Sequence, residues 1–199
     1  MPADLAFIID QCSDPAAGAA IHAQHRSHWE TLPSPSYWHN APVRVHLGSD
    51  HAGYELKNAI ATRLRELGHD PVDHGPATLD PADDYPPYVL RAAEAVANGP
   101  GSVGVVIGGS GNGEAMAANK VQRIRCALVH SEETARLARE HNDANVMSIG
   151  ARMHDQDSAI AMVEAFVTTA FTKDERHQRR ISMLTDYEAT GALPTLPEA

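Results

Sequence analysis

Cysteine, aromatic side chains and positive charge are all scarce in this 199-residue chain. Two cysteines cannot form a disulfide framework, and nothing here has zinc-ribbon spacing. Aromatic residues are only 5%, and the 43% apolar fraction is mostly Ala, Val, Ile and Leu, a composition common in cytosolic α/β enzymes. Lys and Arg number 16 against 26 Asp and Glu, a net charge of −10. That negative field repels phosphate backbones, which argues against nucleic acid or an anionic membrane as the main partner. No apolar run approaches the roughly 20 residues needed to span a bilayer. The longest near the start, Leu5–Ile9, has no basic segment before it and is flanked by Asp4 and Asp10, unlike a secretory signal. The length suits one full-sized domain with an appendage, and the expected location is the reducing cytoplasm.

The character of the chain changes near residue 42. Residues 1–42 hold 5 of the 13 prolines, 4 of the 12 histidines and both tryptophans, and no period persists beyond Leu5–Ile9. This predicts an irregular extension over 1–42, a domain over 43–190 and a short tail over 191–199. Val43–Leu47 reads as a strand, followed by a helix with Leu56, Ile60, Leu64 and Leu67 on one face and Gly68 as its left-handed cap. Pro71–Asp73 is a weak second strand, and Asp80–Pro87 is a Pro- and Asp-rich loop. A helix carrying Val89, Ala92, Ala93 and Val96 leads to Val103–Ile107, short, apolar and β-branched as a strand buried on both faces should be. Cys126–Val129 and Val146–Ile149 complete five strands, with Ser131 capping the helix between them. Two helices close the chain at about 155–169 and 173–189, the second opening on Thr172–Glu175, which reads as a capping box. Strands alternating with helices predict a three-layer α/β/α, Rossmann-like domain with a five-stranded parallel sheet.

In such a sheet, ligands bind outside the carboxyl ends of the strands. There stand Asp50 and His51 after the first strand, Gly108–Glu114 after the third, and Gly150–Arg152 after the fifth, with His141–Asn142 ending a helix nearby. The run Gly108-Gly109-Ser110-Gly111-Asn112-Gly113 leaves backbone N–H groups free to converge on a phosphate or a developing oxyanion. It is not a nucleotide-binding P-loop, because Gly113 is followed by Glu114 rather than Lys. It is not a dinucleotide fingerprint, because it follows the third strand and lacks the Gly-x-Gly-x-x-Gly spacing. A carboxylate beside such amides suits proton abstraction next to a carbonyl. A tight turn followed by a glutamate that the helix dipole favours accounts for the same residues without chemistry.

Arg176 and Arg180 share a helix face at i and i+4, so both guanidiniums can meet one dianion; a solvated basic face is the plainer account. His22, His25 and His28 have metal-like spacing but sit in an irregular segment with no frame, so no metal site is expected. Cys126 reads as a small buried hydrophobe and Cys12 as an exposed thiol. Tyr85, between Asp84 and Pro86, either covers a ligand or anchors its loop.

Gly48–Lys57, Asp83–Pro86, Gly108–Glu114 with Ala117–Lys120, Arg139–Asn142 and Arg176–Arg180 together resemble the type B ribose-5-phosphate isomerases, a family that also holds galactose- and allose-phosphate isomerases. The resemblance covers about residues 43–190. It implies interconversion of D-ribose 5-phosphate and D-ribulose 5-phosphate in the pentose phosphate pathway, with no metal and no other cofactor. It implies Glu114 as the base moving a proton between C2 and C1 through a cis-enediolate, with Ser110 assisting between O1 and O2. Asp50 and His141, with Asn142 beside them, would open the furanose ring. The amides of Gly109, Gly111, Asn112 and Gly113 would bind the enediolate, His51, Arg152, Arg176 and Arg180 the 5-phosphate, and Tyr85 would line the sugar. A homodimer is implied, dimer or tetramer being left open, with the His–Asn pair and one Arg supplied across the subunit interface.

Many members of the family carry a catalytic Cys directly after the third strand, where this chain has Gly108. Glu114 stands where those members have an apolar residue, so the chain resembles the glutamate-base branch found in actinobacteria. Residues 1–42 match nothing in the family pattern, which makes Val43 a candidate for the natural start. Two other functions fit the same pattern: an isomerase of a hexose 6-phosphate such as allose or galactose, and a non-catalytic sugar-phosphate sensor.

Overall fold

The computed structural model describes residues 42–196. The expected extension 1–42, apart from Pro42, lies outside the described residues, and with it Leu5–Ile9, Cys12, His22, His25 and His28. Five strands, β1 (Arg44–Ser49), β2 (Asp70–Asp73), β3 (Val103–Gly108), β4 (Cys126–Leu128) and β5 (Val146–Gly150), form one parallel sheet in the order β2-β1-β3-β5-β4. Six helices among the described residues flank it: α1 (Tyr54–Glu66), α2 (Pro86–Asn98), α3 (Asn112–Ala118), α4 (Glu132–Asn142), α5 (Gln156–Thr168) and α6 (Glu175–Thr190). The expected three-layer architecture is the one observed.

Alternation along the strands sorts the core into two layers. Val45, Leu47, Val105, Ile107, Met147 and Ile149 pack with Leu56, Ile60 and Leu64 of α1, Ala135 and Ala138 of α4 and Met162 and Phe166 of α5. The opposite face is thinner: Val106 and Val146 meet Val89, Ala92, Ala93 and Val96 of α2 and Ala118 of α3. Every residue of β3 is buried, as its continuous apolar run requires. The chain reverses direction across the sheet after β2, so the carboxyl ends of β1 and β3 lie side by side at a topological switch point.

Helix ends account for most departures from the sequence reading. Gly68, at φ +82°, does close α1: its N–H donates to Arg65 O and that of His69 to Leu64 O. Leu67 therefore falls beyond the last turn and is 40% exposed rather than part of the buried stripe. Ser131 caps α4 as expected, its Oγ accepting from Thr134 N while Thr134 Oγ1 accepts from Ser131 N. The capping box at Thr172–Glu175 does not form. Asp174, not Thr172, is the N-cap of α6 and makes no side-chain cap bond; Thr172 lies two residues before it, its Oγ1 donating to Glu140 O at 2.9 Å. The loop expected over 80–87 ends earlier, since Pro86 and Pro87 occupy the first helical positions, where a missing N–H costs nothing. Among the described residues no helix is long and apolar enough to cross a membrane.

Two buried polar groups hold the β2 edge. Lys57 is fully buried, its Nζ donating to both carboxyl oxygens of Asp73 at 2.6 and 2.7 Å and to Pro76 O at 2.7 Å. His46 Nδ1 and His74 Nε2 lie 2.8 Å apart, so one ring donates to the other. Burial, and secondarily the neighbouring His74, lowers His46 to about 4 from an ordinary 6.5. A folded-state pKa below the unfolded one means that the unfolded chain takes up the proton first on acidification. His46 therefore contributes stability above pH 6.5 that is lost as pH falls toward about 4. Urea midpoints are expected to fall across that window in the parent and to fall less in His46→Gln; equal losses would contradict the assignment.

Candidate active site

The loop after β3 is shaped by its neighbours on β5. Ser148 Oγ donates to Gly111 O at 2.6 Å, while Ala151 N and Arg152 N donate to Gly108 O and Gly109 O at 2.8 and 3.1 Å. Gly111 serves as N-cap of α3 with φ +81°, in the left-handed region that glycine enters without strain. A Cβ there would also stand 2.7 Å from Leu128 and 3.1 Å from Gly150 N, so backbone freedom and space both demand glycine. Ser110 is exposed, its Oγ accepting from Asn112 N and Nδ2, both at 3.3 Å.

Glu114 lies in the first turn of α3 yet is only 4% exposed. Its carboxyl folds back over Gly108, where a Cβ would lie 1.9 Å from Oε1 and 2.6 Å from Oε2. Burial raises its pKa, and the negative charge of Asp50 adds to the rise. Backbone hydrogen bonding at Glu114 and Gly111 opposes it without cancelling it. Asp50 follows β1 and is itself buried, its Oδ1 accepting from Ala52 N at 2.9 Å and Gly53 N at 3.3 Å, an Asx turn that opens α1.

His51 comes next and is held by a residue the sequence reading gave no role. Asp83 Oδ1 accepts from His51 N at 2.8 Å and meets His51 Nδ1 at 2.9 Å. That hydrogen bond, ahead of the charges of Asp50 and Asp83, raises the His51 pKa. Tyr85 leans over the glycine loop, its hydroxyl 2.8 Å from where a Cβ of Gly113 would stand. Arg152 does the same at the other side, Nη1 lying 3.2 Å from the corresponding point at Gly109. Asp50, His51, Tyr85, the glycine loop, Glu114 and Arg152 are thus one cluster at the carboxyl ends of β1, β3 and β5.

The remaining candidates form a second cluster. His141, in the last turn of α4, stacks on His177 of α6 with ring centroids 4.4 Å apart and planes 11° from parallel. His177 is 3% exposed and accepts at Nε2 from Arg176 Nε at 3.3 Å. Burial lowers its pKa, and the charges of His141, Arg176 and Arg180 push the same way against Asp174, so the neutral ring is favoured. Arg176 and Arg180 themselves are exposed, as is Asn142. Among the described residues no hydrogen bond, ion pair or ring contact joins this cluster to the first. His177 was visible in sequence only as part of an arginine-flanked run; its burial against His141 depends on how α6 docks on α4.

Cys126 is half-buried, and burial pushes its thiol up to about 12, which suits an inert side chain rather than a nucleophile. No group of three or more His, Cys, Asp or Glu among the described residues is arranged to hold a metal ion.

A model of the ribose/galactose isomerase family matches residues 45–184. Ribose-5-phosphate isomerase B of Mycobacterium tuberculosis is 54% identical over 157 residues, 79% of this chain and 97% of that protein. Among solved structures, ribose-5-phosphate isomerase B of Clostridium thermocellum superposes with a TM-score of 0.72 at 37% identity, covering 75% of this chain and all of the other. The Mycoplasma genitalium enzyme, solved with bound ribulose 5-phosphate, gives a TM-score of 0.71 at 38% identity over 74% of this chain and 97% of that one.

Proposed function

Because this chain belongs to the ribose/galactose isomerase family, we infer that it interconverts D-ribose 5-phosphate and D-ribulose 5-phosphate, an aldose–ketose isomerisation of the pentose phosphate pathway. The observation that carries the reading is the Glu114 carboxylate, buried and raised in basicity, beside a bed of backbone amides. A base so placed can take the C2 proton of an open-chain aldose while the amides of Gly109, Gly111, Asn112 and Gly113 receive the charge arriving on oxygen. Ser110 passes the hydroxyl proton from O2 to O1, and Glu114 returns its proton to C1. The ketose results with no net change in atoms or electrons.

Ring opening precedes this step, and in this reading Asp50 and His141 serve it with Asn142. His51, Arg152, Arg176 and Arg180 neutralise the 5-phosphate, and Tyr85 lies along the sugar. Among the described residues His141, Arg176 and Arg180 make no hydrogen bond, ion pair or ring contact with the Glu114 cluster of their own chain, which supports a site completed across a homodimer. The apolar side chains that α6 leaves open, Met183, Leu184 and Tyr187 at 41, 58 and 49% exposed, support the same arrangement. Sugar phosphates do not cross bilayers unaided, so the enzyme that interconverts them belongs in the cytoplasm.

The test is turnover of ribose 5-phosphate and of allose 6-phosphate by protein whose mass in solution is measured alongside. Ribulose 5-phosphate is expected as product, at a rate well above that on the hexose, from a species of at least two chains. Faster turnover of the hexose would make it a hexose-phosphate isomerase. Binding without turnover of either would make it a sensor, and an active monomer would remove the shared site.

A further inference from the structure

Asp83 comes from the loop ahead of α2, 32 residues beyond His51, yet a single oxygen of its carboxylate receives that residue twice. The side chain of Asp83 is 7% exposed, whereas that of His51 is 31% exposed. Its other oxygen, Oδ2, is buried and has no hydrogen-bond partner among the described residues. A carboxylate kept from water with one oxygen unsatisfied gains its main compensation from the ring it faces. Bonding at Nδ1 fixes the imidazole as the Nδ1–H form and leaves Nε2 as its open nitrogen, with no hydrogen-bond partner among the described residues.

We propose that Asp83 is a positioning residue for His51: it locks the ring's orientation and protonation so that Nε2–H stands ready as a cationic donor to the phosphate of the substrate. The inference rests on the functional reading above and deepens it at the same site. The acidic groups facing His51 are Asp83 and Asp50, and both favour the imidazolium. A purely structural tie between the loop and the end of β1 would need only the bond from His51 N. The second bond, to the ring, is the one that favours an imidazolium able to donate to a phosphate.

The variant Asp83→Asn separates the two, since its carbonyl oxygen can still accept from the backbone N–H while the charge is gone. The KM for ribose 5-phosphate is expected to rise about fivefold to tenfold as pH rises above the ordinary 6.5, where His51 without Asp83 gives up its proton before the parent ring does. As pH falls below 6.5 the variant ring gains its proton too, and the difference is expected to shrink to about twofold, with kcat changed by no more than about threefold throughout. A KM ratio that does not vary with pH, or a loss confined to kcat, would overturn the proposal. Nitrogen-15 NMR of the His51 ring gives an independent readout that needs no turnover and no folded variant. In the parent the ring is expected to hold its proton on Nδ1 and to titrate above 6.5. A ring with its neutral proton on Nε2, or one titrating at or below 6.5, would equally overturn it. If the parent fails to isomerise ribose 5-phosphate, the functional reading falls; the NMR titration, repeated with inorganic phosphate, still decides whether Asp83 sets the state of His51.

Discussion

Glu114→Gln is expected to lower kcat for ribose 5-phosphate by at least ~10²-fold while leaving KM within a small factor. The amide is the same size as the carboxyl, so the pocket over Gly108 stays filled and the glycine loop keeps its shape. What disappears is the carboxylate that this reading assigns to accept the carbon-bound proton. In the parent, kcat/KM should fall as pH drops through the Glu114 pKa, which burial and Asp50 place above the ordinary carboxylate range. The variant's residual rate should lack that acid limb. The same shift makes a stability statement of opposite sign. A carboxyl whose folded-state pKa is raised is protonated more readily in the fold, so its ionised form weakens the fold at neutral pH. Glu114→Gln is therefore expected to melt at or above the parent temperature at pH 7. An inactive protein that is also no less stable would mark Glu114 as chemical rather than architectural. Retention of more than about a tenth of parent kcat would remove it as the base.

The parts of this site that were legible in sequence are those carried by local pattern. Val103–Gly108 runs continuously apolar because both its faces are covered, and the glycines after it are legible because a close-packed loop excludes side chains. Asp50 could be placed because it directly follows a strand end. The direction of the Glu114 shift was not legible, since it depends on how deeply α3 sinks its first turn against β3. Asp83 escaped for another reason. Its partner is 32 residues away, and a Pro- and Asp-rich loop carries no period from which its course across the sheet could be drawn. The failed capping box is the reverse case. Thr172 has the right residue type at the right spacing, but its hydroxyl donates to a carbonyl of α4 that sequence could not place beside it.

Gly108→Ala is the second change with a large expected effect, and it acts on the same carboxyl without touching it chemically. A Cβ at this position would lie 1.9 Å from Glu114 Oε1 and 2.1 Å from Cδ, far inside contact distance. The backbone here is extended β3 with no left-handed torsion, so alanine suits it as well as glycine does. The side chain of Glu114 is what must move, by more than an ångström, and misplacement on that scale costs on the order of 10²-fold in rate. Melting temperature is expected to change by only a few degrees while kcat falls by about that factor. Because one substitution displaces the Glu114 carboxylate and the other deletes it, Gly108→Ala combined with Glu114→Gln should be little slower than Glu114→Gln alone. Multiplied losses would mean that Gly108 acts through something other than Glu114. The volume that any side chain at 108 would need is the volume the Glu114 carboxyl fills, so this pocket has room for one of the two and not both.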